Sequence, residues 1–309
     1  MSSPLYGVRV RLATWNVNSA KVRLPRLLDW LDQRRPDVVS LQETKLPDAE
    51  FDSVFGAELA VRGYAYAHAG DGRWNGVAVL SRVGLDDVAV GFPGQPGFPD
   101  PAGPPETRAL AASCAGIRVW SLYVPNGRTP DDPHFVYKLA WLKALAAVLP
   151  AVDVANTVLT GDMNIAPTDV DVWDPSKFGD STHVTPEERA ALAELTATGL
   201  TDVLRRRWPT DRVFTYWDYR AGAFHQDLGM RIDLVLAGAA VTERVRAVWV
   251  DRQARKGTGP SDHAPVMVDL DEAPDGDIGP VVPPPSSPGG ELKPGRGLTR
   301  RRGGSARGR

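Results

Sequence analysis

Seven short runs of β character, each bounded by polar or turn-forming residues, constrain the fold of this chain more than any other feature. They are VRVRLATWNV, DVVSLQE, NGVAVLS, GIRVWSLYV, NTVLTGD, MRIDLVLA and PVMVDL, and all mix β-branched or aromatic residues with apolar alternation. Helical patterns separate some of them. RLPRLLDWLDQ places Leu24, Leu27, Leu28 and Leu31 at three- and four-residue spacing, and FVYKLAWLKALAAVL does the same with Leu139, Leu142 and Leu145. TPEERAALAEL offers Thr185 as an N-cap, Pro186 at the first helical position and Glu187 and Glu188 in the first turn. Strands and helices alternate imperfectly, with hairpin-like stretches between them. That pattern predicts an α/β fold of two packed mixed β-sheets with helices outside, rather than one doubly wound sheet.

The 309 residues suffice for one large core or two modest ones. A single cysteine, Cys114, excludes an internal disulfide framework and suits a reducing compartment; its apolar surroundings read as core. The start, MSSPLYGVRVRLATW, lacks an apolar run long enough for a signal peptide, and no stretch has the length of a membrane span. A cytoplasmic protein is expected. The net charge is −2, but the residues after 291 carry seven basic side chains and no acid, which leaves −9 on the rest. If the body handles nucleic acid, a bound cation and a few placed arginines must overcome its overall sign. The expected organisation is a catalytic domain over 1–271, followed by a disordered Pro/Gly-rich tail over 272–309 with a basic C-terminus. GFPGQPGFPDPAGPPE (91–106) reads as a long surface loop within the domain.

Chemistry gathers at the strand ends. LATWNVN ends at Asn16 and Asn18, VVSLQETK at Gln42 and Glu43, WSLYVPNGR at Tyr123, Asn126 and Arg128, and TVLTGDMN at Asp162 and Asn164. Asp233 interrupts the apolar run of MRIDLVL, and GPSDHAPV supplies Asp262 and His263. Taken singly, most such residues form turns. Asp233 and Glu43 are harder to dismiss, because an acid within or at the rim of an apolar strand needs a partner. Together, Glu43, Asp162, Asp233 and Asp262 offer hard oxygen ligands of the kind Mg²⁺ prefers, while soft ligands are missing. His263 adds an acid/base group near neutral pH. Amides at Asn16 and Asn164 can donate to phosphate oxygens without adding charge. The set suits metal-assisted displacement at phosphorus. The sequence contains neither a G-x-S-x-G elbow nor a G-x-x-x-x-G-K-[ST] loop, which argues against acyl transfer and against an NTPase of that type.

In this order, LATWNVN, LQETK, NGVAVLS, YVPNG, TGDMN, YWDYR, RID and SDHAP resemble the exonuclease III family of abasic-site endonucleases, within the endonuclease/exonuclease/phosphatase superfamily. The likeness runs from about residue 10 to 270, and YVPNGR with DDPH, and THVTPEER, are most similar to actinobacterial members. The resemblance implies a four-layer α/β sandwich, a divalent metal (Mg²⁺, with Mn²⁺ as an alternative), cleavage of DNA 5′ to abasic sites, and 3′→5′ exonuclease and 3′-end-cleaning activities. It implies Glu43 as principal metal ligand, with Asp262 nearby and Asn16 in the metal site. Asp162 would orient or deprotonate the attacking water. His263, its ring fixed by Asp233, would hold a phosphate oxygen, and Asn16 and Asn164 would complete the phosphate cradle. Tyr123 would face the phosphate or help the leaving group.

The aromatic segment FTYWDYRAGAFHQDLGMRID (214–233) reads either as a hydrophobic core hairpin or as a loop that wedges beside bases and walls a pocket for a baseless sugar. By resemblance, Trp217 and Met230 lie in or beside that pocket, with Asn126, Arg128, Arg220 and Arg231 on the DNA. The expected partner is double-stranded DNA with abasic sites or blocked 3′ ends, met by a monomer and away from membranes. Two other readings compete: another phosphodiesterase or phosphatase of the superfamily, and a non-catalytic DNA-binding scaffold.

Overall fold

Val38–Gln42 and Thr157–Asp162 are buried at every position. A strand buried on both faces must be covered on both, and the architecture follows from that need. The computed structural model describes residues 9–179, 181–274 and 278–283. In chain order its elements are β1 (Val10–Asn16), α1 (Ala20–Arg34), β2 (Val38–Gln42), α2 (Asp48–Val61), β3 (Ala65–Ala69), β4 (Val77–Ser81), β5 (Asp86–Val90), β6 (Ala109–Cys114), β7 (Ile117–Tyr123), α3 (Pro133–Val148) and β8 (Thr157–Asp162). There follow α4 (Pro186–Ala197), β9 (Thr201–Asp202), α5 (Val203–Arg207), α6 (Ala223–Gln226), β10 (Asp233–Ala237), α7 (Ala239–Arg244), β11 (Val245–Asp251), β12 (Val266–Leu270) and β13 (Val281–Val282).

The strands form two mixed sheets, ordered β13-β11-β12-β1-β2-β4-β3 and β5-β6-β7-β8-β10-β9. Each has a parallel pair at its centre, β1–β2 and β7–β8. The connections between these pairs are α1 and α3, the helical crossovers that parallel neighbours require. Alternate residues of one strand serve different cores. Leu12 enters the cluster between the sheets, whereas Ala13 and Trp15 pack with Leu27, Leu31 and Phe55 of α1 and α2. Val119 likewise faces the central cluster, while Trp120 and Leu122 pack under Trp141, Leu145 and Leu195 of α3 and α4. Three apolar layers therefore separate helices, sheet, sheet and helices, and this is the expected four-layer α/β sandwich. Cys114 is buried in the central layer.

The N-terminus of α4 carries the expected cap: Thr185 Oγ1 accepts from the Glu188 N–H, and Glu188 returns to the Thr185 backbone. Residues 91–106 form the expected loop between β5 and β6. At the other end, the expected disorder from 272 does not hold throughout. Val281–Val282 pairs in parallel with Val250 and Asp251 of β11, and Ile278 and Val282 pack against the α1/α2 layer. Two apolar side chains and one ladder suffice to bring this segment back onto the sheet. The rest of the expected tail, 275–277 and 284–309, lies outside the described residues.

Candidate active site

The functional strand ends meet at one end of the sandwich because of their register. In the second sheet Tyr123 pairs with Asp162 across β7–β8, and Asp162 pairs with Asp233 across β8–β10. Directly paired residues share a face, so three strands present a phenol and two carboxylates side by side. In the first sheet Asn16 pairs with Gln42, and Glu43 follows at once. The backbone of Glu43 is left-handed (φ 52°), as is that of Asn164 (φ 50°). Both adopt a conformation rare outside glycine, of the kind that concentrates at functional sites.

The segment Ser261–His263 is fixed by several hydrogen bonds. Ser261 Oγ donates to the Asn16 carbonyl (2.7 Å) and accepts from the His263 N–H (3.2 Å), while the Trp15 indole donates to the His263 carbonyl (3.1 Å). His263 is thereby set between the sheets, with Nδ1 2.8 Å from Asp233 Oδ2 and Nε2 3.9 Å from Asp162 Oδ2. The Tyr216 ring packs against it at 4.9 Å between centroids.

Glu43, Asp162 and His263 each offer a ligand atom, and these atoms lie within 4.8 Å of one another. Burial pushes the Asp162 carboxyl up to about 7, with Asp233 and Glu43 adding to the effect against the charge of His263. Burial pulls the His263 ring down, but Asp233, Asp162 and Asp262 outweigh it and carry the imidazolium up to about 10. A ring held protonated is a proton donor rather than a metal ligand, so the hard oxygens remain for a cation. Lys45 marks where such a charge fits, since its ammonium lies 2.8 Å from Glu43 Oε2 and donates to Asn18 Oδ1 at 2.7 Å. The donor set suits a small hard divalent ion, with Glu43 and the Asn18 carbonyl nearest to hand.

Several expected site residues stand elsewhere or act otherwise. Asn16 turns its amide nitrogen to Glu43 Oε1 (2.8 Å) and Asp162 Oδ2 (2.9 Å), and its Oδ1 accepts from the Asn18 N–H. Its nitrogen braces two carboxylates, and its oxygen is engaged by the Asn18 backbone. Asp262 lies outside the close group and accepts from the Asn18 amide at 3.0 Å. Asn164 is partly committed to the protein: Oδ1 receives Asn126 Nδ2 and meets His183 Nε2, while Nδ2 donates to the Val124 carbonyl. One amide hydrogen remains for a phosphate. Tyr123 stands beside Glu43 under the Arg108 guanidinium, 4.8 Å from its ring, and burial with Glu43 holds its phenol well above the ordinary value.

Two DNA-contact expectations are overturned. Arg231 is completely buried, with Nε 2.6 Å from the buried Asp171, whose carboxylate demands a cation, and Nη1 2.8 Å from the partly buried Asp202. Trp217 is also buried: its indole donates to Asp227 and its ring meets Phe224 edge-on. The neighbouring Tyr216 is half-buried against His263 and paired through its backbone to the half-buried Met230. Arg128 and Arg220 are exposed, and Asn126 is exposed beside Asn164.

Lys45, Tyr216 and Trp74 also stand at this end of the sandwich, and no apolar pattern marks them. Trp74, 74% exposed, sits in a turn pinned beside Glu43, where the Thr44 and Lys45 N–H groups donate to the Gly76 and Asn75 carbonyls. Its signal was present: a tryptophan inside the turn DGRWNG has no core to serve.

Comparison with known proteins agrees with this geometry. The pattern of the Endonuclease/Exonuclease/phosphatase family matches residues 13–263. The 3′ phosphatase NExo from Neisseria, solved with a product DNA hairpin, is 38% identical with a TM-score of 0.79, covering 85% of this chain and 100% of its own. An AP endonuclease from Archaeoglobus fulgidus is 34% identical with the same TM-score and the same coverage of both chains. Exodeoxyribonuclease III of Haemophilus influenzae is 29% identical, covering 84% of this chain and 100% of its own length. With its two sheets closing on Glu43, Asp162 and His263, the chain belongs to the endonuclease/exonuclease/phosphatase family.

Proposed function

We propose that the protein is a DNA-repair phosphodiesterase, dependent on Mg²⁺ or Mn²⁺, which hydrolyses the backbone 5′ to abasic sites and trims or cleans 3′ ends. The convergence of Glu43, Asp162 and His263 from three distant parts of the chain carries this reading. The relatives named exodeoxyribonuclease III, AP endonuclease and 3′ phosphatase support it. A phosphodiester is anionic, so attack on it requires its charge to be neutralised and its oxygens to be held.

Bound at Glu43, a divalent cation would supply positive charge to the phosphodiester. The side chains supply the rest. Asp162, its carboxyl raised by burial, accepts a proton from the attacking water as the water oxygen bonds to phosphorus and the P–O3′ bond breaks, and the departing 3′ oxygen takes a proton from solvent. His263 donates from Nε2 to a non-bridging oxygen, and Asp233 keeps the ring oriented and charged. Tyr123 stays a neutral phenol and donates to the phosphate. Asn16 fixes the relative position of Glu43 and Asp162, and the free hydrogen of Asn164 completes the cradle. Tyr216 and Met230 wall the space for a baseless sugar, whose extrusion requires no base to be unstacked. Arg128, Arg220 and Trp74 meet the duplex, and the enzyme acts as a monomer. Among the described residues, no helix is long and apolar enough to cross a membrane.

The test is one gel. A duplex with a single abasic analogue should be incised 5′ to the lesion and shortened at its 3′ ends when Mg²⁺ is present, and left intact when it is chelated. A duplex left intact with Mg²⁺ present would overturn the reading.

A further inference from the structure

Behind the loop that follows Trp217 lies a cavity of about 400 Å³, separate from the carboxylate cluster. Its walls include Arg252, Arg255, Lys256, Phe224, Tyr219 and Asp218, and none of Glu43, Asp162, Asp233 or His263 lines it. Two of its cations are deeply placed: Arg252 is 3% exposed and Arg255 6%. Burying a guanidinium is unfavourable unless it is paired. Arg252 is partly compensated, donating to the Phe224 carbonyl at 2.7 Å with Asp227 at 3.4 Å. Arg255 pairs with no carboxylate among the described residues, and its one hydrogen bond there is to the Trp217 carbonyl at 3.2 Å. Both Nε atoms are buried without a partner.

Aromatic faces hold the two arginines in place. Arg252 lies 4.1 Å from the Phe224 centroid, and Arg255 lies 5.0 Å from both Phe224 and Tyr219. The segment that carries them is braced from α1, where Arg26 donates to the carbonyls of Ala254, Lys256 and Thr258. Lys256 is exposed at the rim. The one wall carboxylate, Asp218, is engaged by the backbone and guanidinium of Arg220. In a body whose net charge is negative, this is a local reversal of sign.

We propose that this cavity is a second, non-catalytic binding site for a nucleotide phosphate. Guanidinium forks match phosphate oxygens, and Lys256 adds a point charge. The faces of Phe224 and Tyr219 suit a sugar or base, and the volume has room for a mononucleotide. Two sources share this chemistry: a free 5′-mononucleotide, and the phosphorylated end of a single strand.

Calorimetry on the full chain carrying Asp162→Asn, with metal chelated, tests the site without any need for cleavage. The titrants are deoxyadenosine 5′-monophosphate, deoxyadenosine, and a 5′-phosphorylated single-stranded tetranucleotide. The monophosphate should bind with one-to-one stoichiometry, and deoxyadenosine should bind at least about tenfold more weakly, as expected for a lost charged contact. Arg255 supports the loop, so its replacement could loosen the fold. The exposed Lys256→Glu therefore carries the test: it should weaken monophosphate binding about tenfold with an unchanged Tm, while Glu43→Gln leaves binding intact. Tighter binding of the tetranucleotide assigns the site to strand ends, and tighter or equal binding of the monophosphate assigns it to the free nucleotide. No saturable binding at millimolar monophosphate, binding indifferent to Lys256→Glu, or binding lost in Glu43→Gln overturns the proposal. Purely structural cation–aromatic staples would give the first result.

Discussion

Asp162 and Asp233 stand directly opposite each other across β8–β10, and the His263 ring spans both, 2.8 Å from Asp233 and 3.9 Å from Asp162. Two buried carboxylates at adjacent strand positions repel. The imidazolium between them, raised to about 10, makes the arrangement tenable. The same arrangement separates the two acids: Asp233 is tied to the ring, while Asp162 accepts from the Asn16 amide and the Asn164 N–H, with its carboxyl raised to about 7.

On the proposed mechanism, Asp162→Asn removes the proton acceptor and leaves the DNA surface intact. Single-turnover cleavage of an abasic duplex should fall by roughly 10²–10⁴-fold, the usual contribution of a positioned acid or base. Duplex affinity measured with metal chelated should stay essentially unchanged. A parallel loss of affinity would mean that Asp162 serves binding instead.

Gly161 offers a test of how strictly Asp162 is placed. Its φ is 139°, and a Cβ there would lie 1.9 Å from the Leu122 carbonyl oxygen on β7. Gly161→Ala must push the paired strands apart, which costs about 1–3 kcal/mol in overpacked interiors. The Tm should fall. Activity of the folded fraction should drop by on the order of 10²-fold, as expected when a reacting group moves by about 1 Å. An unchanged Tm with full activity would show that the strands yield freely.

Much of the site was legible because strand ends are legible. β1, β2, β7, β8, β10 and β12 all fall within quoted apolar runs, and the acids beside them follow from position alone. β3 (AYAHA) and β6 (ALAASC) are rich in alanine, which favours no strand, and α2 mixes phenylalanines with acids in a weak pattern. Arg231 and Trp217 were misread for another reason. Periodicity says that a residue near a strand is charged or aromatic, but not that Asp171, sixty positions away, will claim it. Long-range pairing inside a core leaves no local trace. Asn16 was likewise found as a site residue, while the direction of its amide depended on where two carboxylates converged.

The Asp171–Arg231 pair should govern stability, and its acid dependence has a definite sign. Burial raises the Asp171 carboxyl, but the charge and hydrogen bond of Arg231, with Thr168 and Arg205, bring it below the ordinary value. A carboxyl lowered by folding contributes stability above its unfolded pKa of about 4, and that contribution is lost as pH falls through the folded value. Asp171→Asn leaves Arg231 partly uncompensated and should destabilise by about 3–5 kcal/mol at neutral pH. Denaturant midpoints for the two proteins should converge as the pH is lowered below about 4. A constant gap across that range would remove Asp171 ionisation as the cause.

Trp74 should act on DNA and not on the fold. It is 74% exposed, in a turn held rigidly beside Glu43 by backbone hydrogen bonds. Trp74→Ala should leave the Tm unchanged and weaken duplex binding by about 1–3 kcal/mol, the range for one aromatic contact with a base. Equal affinities by fluorescence anisotropy would place the duplex elsewhere.

Metal binding should be visible without substrate. Glu43 carries the Lys45 ammonium at 2.8 Å, and the Asp162 carboxyl nearby is raised by burial, with the charges of Asp233 and Glu43 adding to the effect. An added cation relieves that charge only in the folded state, so it must raise stability by mass action, about 2.7 kcal/mol at a hundredfold excess over Kd. Thermal melts should therefore shift upward with Mg²⁺ or Mn²⁺ and not with a monovalent salt at equal ionic strength. In Glu43→Gln the principal oxygen is neutral and the local repulsion is smaller. That variant should melt at or above the metal-free temperature of the parent, and its melting should no longer respond to Mg²⁺. A Glu43→Gln protein that responds as strongly as the parent would move the cation away from Glu43 to Asp262, which accepts from the Asn18 amide.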